Sequence, residues 1–328
     1  NPSYLEKFNE TKLISFPIYG FFLHALFYKI FGIYSFFILE LIFQFIFLVI
    51  FLKVIEKIFK GSNFSLYFCF FIFLFIALLE TILSYENIFY LRHLFNLLDE
   101  DFGSRFPRPL FTGIIYFYFF YILYDFKENF KRLDLKYFIL LFLLLSIFLN
   151  SFFYYFFNFS ILLVFLLFKY LDINIFKFFI KNKNRIFLIL IFFIIFSLPF
   201  LIQLYFGESD YSQRMGVIQI NWDQKLYLLK YYFINLLRFE SLLLIIPSVI
   251  IHLYLNKKFY NLKEQVYKLN IFFYFLIISL ISPPIFFLIS PKLVSIYHFL
   301  DILLFIIIFY LMLSISFILY ETFNFKGK

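Results

Sequence analysis

The sequence predicts an all-α fold: a polytopic transmembrane helical bundle of about nine to ten spans, with further helices lying against its outer face. Three observations carry this prediction. Apolar residues make up 64% of the 328-residue chain and charged residues 15%, too little polar surface to cover a water-soluble domain of this size. The apolar residues fall in repeated runs of about 20, the length that crosses a hydrocarbon core. The lysines gather in the short segments between those runs. The net charge of +9 is therefore read as a topology signal and excludes a nucleic-acid partner as its explanation. The 62 phenylalanines are accounted for by a codon bias that also favours Ile, Lys, Asn and Tyr.

Taken in order, the first apolar segment is Ile14–Gly32. It is apolar enough to cross, but Pro17, Gly20, His24 and Lys29 interrupt it. Pattern alone leaves it as a crossing or as an interfacial helix. Ile33–Phe51 is the first uniform span, followed by the basic stretch Lys53, Lys57, Lys60. Ser65–Tyr85 follows, then the mixed-charge loop Glu86–Arg108. Pro109–Tyr124 leads to Lys127, Lys131, Arg132 and Lys136. The run Tyr137–Leu171 is too long for one crossing, and Asn150-Ser151 near its middle predicts a hairpin of two short spans. Lys177, Lys181, Lys183 and Arg185 come next, then the span Ile186–Phe206 and the polar loop Gly207–Leu226. Glu240–Leu255 is followed by Lys257, Lys258, Lys263 and Lys268. Asn270–Ser290 and Leu293–Tyr320 complete the set, and Pro283-Pro284 predicts a kink in the former. With the Lys53–Lys60 stretch placed in the cytoplasm, alternation puts every other lysine-rich loop and the tail, residues 321–328, on the same side. The loops Glu86–Arg108 and Gly207–Leu226 then face outward.

Several function classes carry no signal. The chain has no P-loop, GxGxxG, HExxH or CxxC pattern, so ATP-driven transport by this chain alone has no sequence support. Its single cysteine, Cys69, excludes an internal disulfide and a cysteine metal cluster. No internal repeat of the kind that builds inverted-repeat transporters is visible. Asn9-Glu10-Thr11 matches a glycosylation triplet, a pattern common by chance in Asn-rich chains.

Ionisable groups within apolar runs are functional candidates. Glu40 and Gln44 lie one helical turn apart on the first uniform span. Glu80 lies near the outer end of the next. His298 and Asp301 share a face near the outer end of the last. The densest charge is in the first outer loop, "YLRHLFNLLDEDFGSRFPRP". There Arg92, His93, Arg105 and Arg108 flank Asp99, Glu100 and Asp101. Arginines suit bidentate phosphate binding, and clustered carboxylates suit a general base or a divalent cation. Arg214 in the second outer loop is a further phosphate candidate.

In "FPIYGFFLHALFYKIFG", Phe16–Gly32, and in the Arg- and acid-bearing loop Arg92–Arg108, the chain resembles the GT-C superfamily of membrane glycosyltransferases. That class includes protein O-mannosyltransferases and aminoarabinose transferases acting on lipid A. The first stretch is similar to the family's "PPL…YWL…LFG" segment, with Ile18 in place of the second proline. The resemblance covers about the first third of the chain and implies that residues 1–32 are an outer juxtamembrane segment preceding a bundle over 33–320. It implies a multi-pass protein of the bacterial inner (plasma) membrane with its active face outward. The implied reaction moves a sugar from a polyprenyl-phosphate donor to a lipid, glycan or protein acceptor, with Asp99, Glu100 and Asp101 in acid–base or cation roles. Arg92, His93, Arg105, Arg108, Arg214, His298, Asp301 and Glu40 would contact substrate. No cofactor is expected beyond a divalent cation. Because the chain opens on Asn1, the expectation is a fragment whose first span, with the family's catalytic Asp after it, precedes Asn1. Other classes stay open: a lipid-linked oligosaccharide flippase or transporter, an O-antigen-type polymerase, and a structural membrane subunit.

Overall fold

A computed structural model of the chain describes residues 18–60, 63–69, 71, 110–132, 134–170, 178, 180–206, 218–219, 221–237, 239–289, 292–293 and 296–323. Among them the fold is all-helical apart from one two-residue antiparallel pairing. Six helical runs are long and apolar enough to cross a membrane.

The first of these runs, Phe22–Phe59, is two helices. α1 (Ile18–Phe31) ends in a 3-10 turn, Gly32–Tyr34, and α2 (Ser35–Phe59) follows. Gly32 has φ +57°, a left-handed conformation that only glycine adopts without strain. The change of direction is sharp. His24 Nε2 and Ser35 Oγ, eleven residues apart, share a 3.0 Å hydrogen bond, whereas a continuous helix would hold those residues about 16 Å apart. The crossing part is therefore α2. It continues past Phe51, because Val54, Ile55, Ile58 and Phe59 are fully buried while Lys53 and Glu56 on the other face pair at 3.1 Å. The stretch expected as a basic loop, Lys53–Lys60, is thus the last turns of a helix that ends with Lys60 in a left-handed cap.

α3 (Leu110–Leu123) packs along α2 and leads through the short α4 (Phe126–Arg132) to α5 (Leu135–Leu149). Asp134 caps α5, accepting hydrogen bonds from the N–H groups of Lys136 and Tyr137. A turn at Asn150–Ser151 joins α5 to α6 (Phe153–Tyr170), where the hairpin was expected. α7 (Lys183–Phe206) packs against α5. α8 (Trp222–Leu236) falls partly in the expected polar loop. α9 (Phe239–Lys258), α10 (Lys263–Ile289) and α11 (Ile296–Thr322) complete the chain. The strand pair joins β1 (Ile218–Gln219) to β2 (Lys292–Leu293), with Ile218 opposite Leu293 and Gln219 opposite Lys292.

Burial sorts these helices into centre and rim. Along α10, 61% of the crossing residues are buried, against 17% in α7 and 11% in α9. α10 and α11 are therefore the axis, and α7 and α9 present apolar side chains outward. α3 joins the axis through Tyr116, Phe117, Phe119 and Phe120, none more than 1% exposed. Rings fill the space between. Phe120 stacks on Phe272 at 4.3 Å, Phe159 meets Phe119 at 4.3 Å and Phe275 at 4.5 Å, and Phe117 sits edge-on to Phe51 at 4.9 Å. Lipid provides no hydrophobic drive between helices, so close packing holds such a bundle. Each aromatic pair adds about 0.5–1.5 kcal/mol beyond its buried area.

The bundle has two chemically different ends. At one, Lys57 pairs with Asp125 at 2.7 Å. Lys268 donates to the Lys57 carbonyl at 2.9 Å and to Glu264 at 2.5 Å. Tyr320 packs on Phe59 and Phe64. The ends of α2, α3 and α11 and the starts of α4 and α10 thus meet there, and each lies beside a lysine-rich stretch. At the other end lie the starts of α2 and α11, the Asn150 turn, α8 and the strand pair.

Candidate functional site

Sequence reasoning placed its candidate residues at the second of these ends, and the helices set how far they converge. Glu40 and Gln44 lie in the first half of α2, both half-buried, and one turn apart as expected. His298 and Asp301 lie one turn apart at the start of α11; only their backbone is among the described positions. The strand pair ties this region to the second outer loop. β1 begins four residues after position 214, and β2 ends five residues before His298. Arg214 itself lies outside the described residues, as do Glu80, Arg92, His93, Asp99, Glu100, Asp101, Arg105 and Arg108.

Three further groups at this end were not singled out as a site by sequence reasoning. The first is the His24–Ser35 bond, with the His24 ring 3.7 Å from that of Phe36. It holds α1 against the start of α2.

The second gathers on α7. Pro199 lacks an N–H, which leaves the Ile195 carbonyl without its helical donor. The neighbouring Phe196 carbonyl accepts from the Tyr19 phenol at 2.5 Å and from Asn150 Nδ2 at 3.2 Å. Three elements, α1, the hairpin turn and α7, are fastened at one oxygen.

The third concerns Pro283-Pro284 in α10. Their missing N–H groups leave the carbonyls of Ser279 and Leu280 without helical donors. The Tyr232 phenol, on α8, donates to the Leu280 carbonyl at 2.6 Å. Burial raises the Tyr232 pKa well above the ordinary phenol value, which keeps it a neutral donor. Ser282 Oγ lies 3.5 Å from the Ser279 carbonyl, and Asn158 Nδ2 on α6 reaches Ser279 Oγ at 3.3 Å. The proline pair thus marks a junction of α6, α8 and α10, with the freed backbone supplied by side chains, as apolar surroundings require.

Nearer the lysine-rich end, a polar cluster sits between α6, α9 and α10. Asn256 and Asn270 join at 2.9 Å. The His252 ring stacks on Phe273 at 3.7 Å. The Lys169 amine donates to the Tyr274 hydroxyl and lies over its ring. A helix-end lysine cushioned on rings is the ordinary way to bring its charge to a membrane surface.

Among the described residues no three His, Cys, Asp or Glu side chains gather to hold a metal ion. The arrangement at the second end is a set of helix ends, polar ties and loop anchors. Neither a protein-family model, nor a curated protein, nor a solved structure matches this chain.

Proposed function

We propose that this chain is a multi-pass membrane glycosyltransferase of a bacterial plasma membrane. It moves a sugar from a polyprenyl-phosphate donor to a lipid, glycan or protein acceptor on the outer face. About nine crossings result when α3, α5 and the run beginning at Ser65 are added to the six long helical runs. The lysine-rich end lies in the cytoplasm and the opposite end outside.

The observation that carries this proposal is the gathering of the lysine-rich stretches at one end of the bundle. Those around Lys57, Asp125 and Lys268 meet there. The described elements that adjoin the candidate segments, the start of α3, β1, α8 and the start of α11, lie at the other. An enzyme drawing a lipid-linked donor from the outer leaflet needs its acidic and arginine groups there.

The chemistry assigned to that face is an inverting displacement. The acceptor hydroxyl oxygen bonds to the anomeric carbon as the bond from that carbon to the donor phosphate oxygen breaks. One of Asp99, Glu100 and Asp101 takes the hydroxyl proton. Arg92, Arg105, Arg108 and Arg214 stabilise the departing polyprenyl phosphate. His93, Glu40, His298 and Asp301 line the approach, and the acidic triplet is where a divalent cation would sit.

The test is release of polyprenyl phosphate by the full gene product in vesicles supplied with polyprenyl-phosphate sugars. Asp99→Ala, Asp101→Ala and Arg105→Ala are compared with the parent. Loss of a positioned base or phosphate contact is expected to lower turnover by about 100-fold or more. Full activity in all three variants, or none in the parent with any donor, refutes the assignment.

A further inference from the structure

α8, 15 residues long, is neither long and apolar enough to cross nor buried within the bundle. It begins with a capping box in which Asn221 Oδ1 accepts from the Gln224 N–H at 2.9 Å and Gln224 Oε1 accepts from the Asn221 N–H at 3.2 Å. It is fastened to the bundle by Tyr232, fully buried, beside Phe287, with Leu229 and Leu236 closing the seam.

Its free surface is organised. Trp222, Leu226, Phe233 and Leu237 are 62%, 59%, 49% and 69% exposed. At about 100° per residue they form one strip, with Leu229 and Leu236 along its bundle side. No charged residue falls within the strip. Lys225 is buried on the bundle side, beyond Leu236, its amine 4.9 Å from the centre of the Trp222 ring. Lys230, exposed, lies on the opposite border with Asp223.

We infer that α8 is a lipid-docking helix. It lies in the headgroup layer of the leaflet opposite the lysine-rich end, with the strip of Trp222, Leu226, Phe233 and Leu237 against acyl chains. Two features select lipid as the occupant. The strip ends at Leu237, two residues before α9 begins, and Leu243, Ile246, Ile250 and Leu253 of α9 are all more than half exposed on a helix only 11% buried along its crossing residues. A crossing helix presents such a face to acyl chains, so the strip leads along the chain into a lipid-facing helix. The composition of α8 is also that of an in-plane helix, with Trp, Phe and Leu on one strip and the exposed Lys230 at its border to meet phosphates. This inference does not depend on the proposed enzymatic reaction.

Trp222 is the only tryptophan of the chain, so the protein carries its own depth probe. The full chain is reconstituted in phosphatidylcholine–phosphatidylglycerol vesicles and excited where tyrosine does not absorb. Phosphatidylcholines brominated near the glycerol are expected to remove most of the emission. Bromination near the chain terminus should quench far less, and aqueous iodide hardly at all. Three results overturn the inference. Emission typical of water with strong iodide quenching places the strip in solvent. Protection from both quenchers places it under another segment or a second copy of the chain. Stronger quenching by the deep bromines places α8 inside the hydrocarbon core.

Discussion

Replacing Tyr232 with phenylalanine removes one oxygen from a fully buried site and leaves the ring in place. The oxygen matters because of a residue on another helix. Pro284 has no N–H to give the Leu280 carbonyl, so the Tyr232 phenol at 2.6 Å supplies the missing hydrogen bond. A buried carbonyl left without a donor costs about 1–3 kcal/mol. Helix–helix hydrogen bonds within membranes contribute about 0.6 kcal/mol on average and rarely exceed about 1.7. The expected loss for Tyr232→Phe is therefore about 1–2 kcal/mol. The decisive comparison is the same change in a Pro284→Ala background, where the alanine returns a helical N–H to the Leu280 carbonyl. There the loss should shrink below about 0.5 kcal/mol, giving a coupling of about 1 kcal/mol between residues on different helices. Equilibrium unfolding in mixed micelles, followed by circular dichroism, measures all four members of the cycle. An equal cost in both backgrounds would refute the assignment of the phenol to the carbonyl that proline frees.

The lysine-rich end yields a second comparison. Lys268→Met removes a buried amine that serves both the Lys57 carbonyl and Glu264 and should destabilise by about 1.5–3 kcal/mol. Lys57→Met breaks an ion pair whose Asp125 carboxylate is 52% exposed and should cost under about 1 kcal/mol; the same unfolding assay orders the two. Orientation is tested with a Cys69→Ala parent, which removes the one native thiol. Single cysteines at Lys263 and Asp223 should react with membrane-impermeant maleimide from opposite sides of sealed vesicles, and labelling from the same side would overturn the two-ended topology.

Much of this architecture is written in the chain, though unevenly. The hairpin turn was legible because Asn150-Ser151 interrupts an apolar run otherwise too long for one crossing. The gap in the hydrogen-bond ladder of α10 was legible because proline lacks an N–H wherever it falls in a helix. The ending of α2 was misread: Lys53, Glu56 and Lys57 look like a loop until Val54, Ile55 and Ile58 are placed on the opposite, buried face. α8 was missed because attention followed apolar length, and a surface helix alternates polar and apolar residues. The signal was nonetheless present in "NWDQ", a capping residue followed three positions later by glutamine. Within the candidate site, Glu40 and Gln44, and likewise His298 and Asp301, fall one turn apart on described helices. The Tyr19–Phe196 and Tyr232–Leu280 ties were illegible, because each links a side chain to a backbone carbonyl far along the chain. Such a carbonyl is acceptor to any donor and leaves no mark in sequence.

The hairpin of α5 and α6 also bears on how this protein is made. Its limbs have 15 and 18 residues, about 22 and 27 Å, somewhat shorter than a hydrocarbon core of about 30 Å. Its turn is buried, with Asn150 fully covered, and Asn150 meets α7 at Phe196, ten residues before that helix ends. The partner of that turn is 46 residues downstream. When α6 leaves the ribosome, the carbonyl that will receive Asn150 has not yet emerged. The hairpin's polar tip must therefore wait within the insertion machinery, or at the membrane surface, until α7 arrives. Synthesis order makes the α5–α7 unit, and not any single helix, the first piece of this half of the bundle able to leave for lipid.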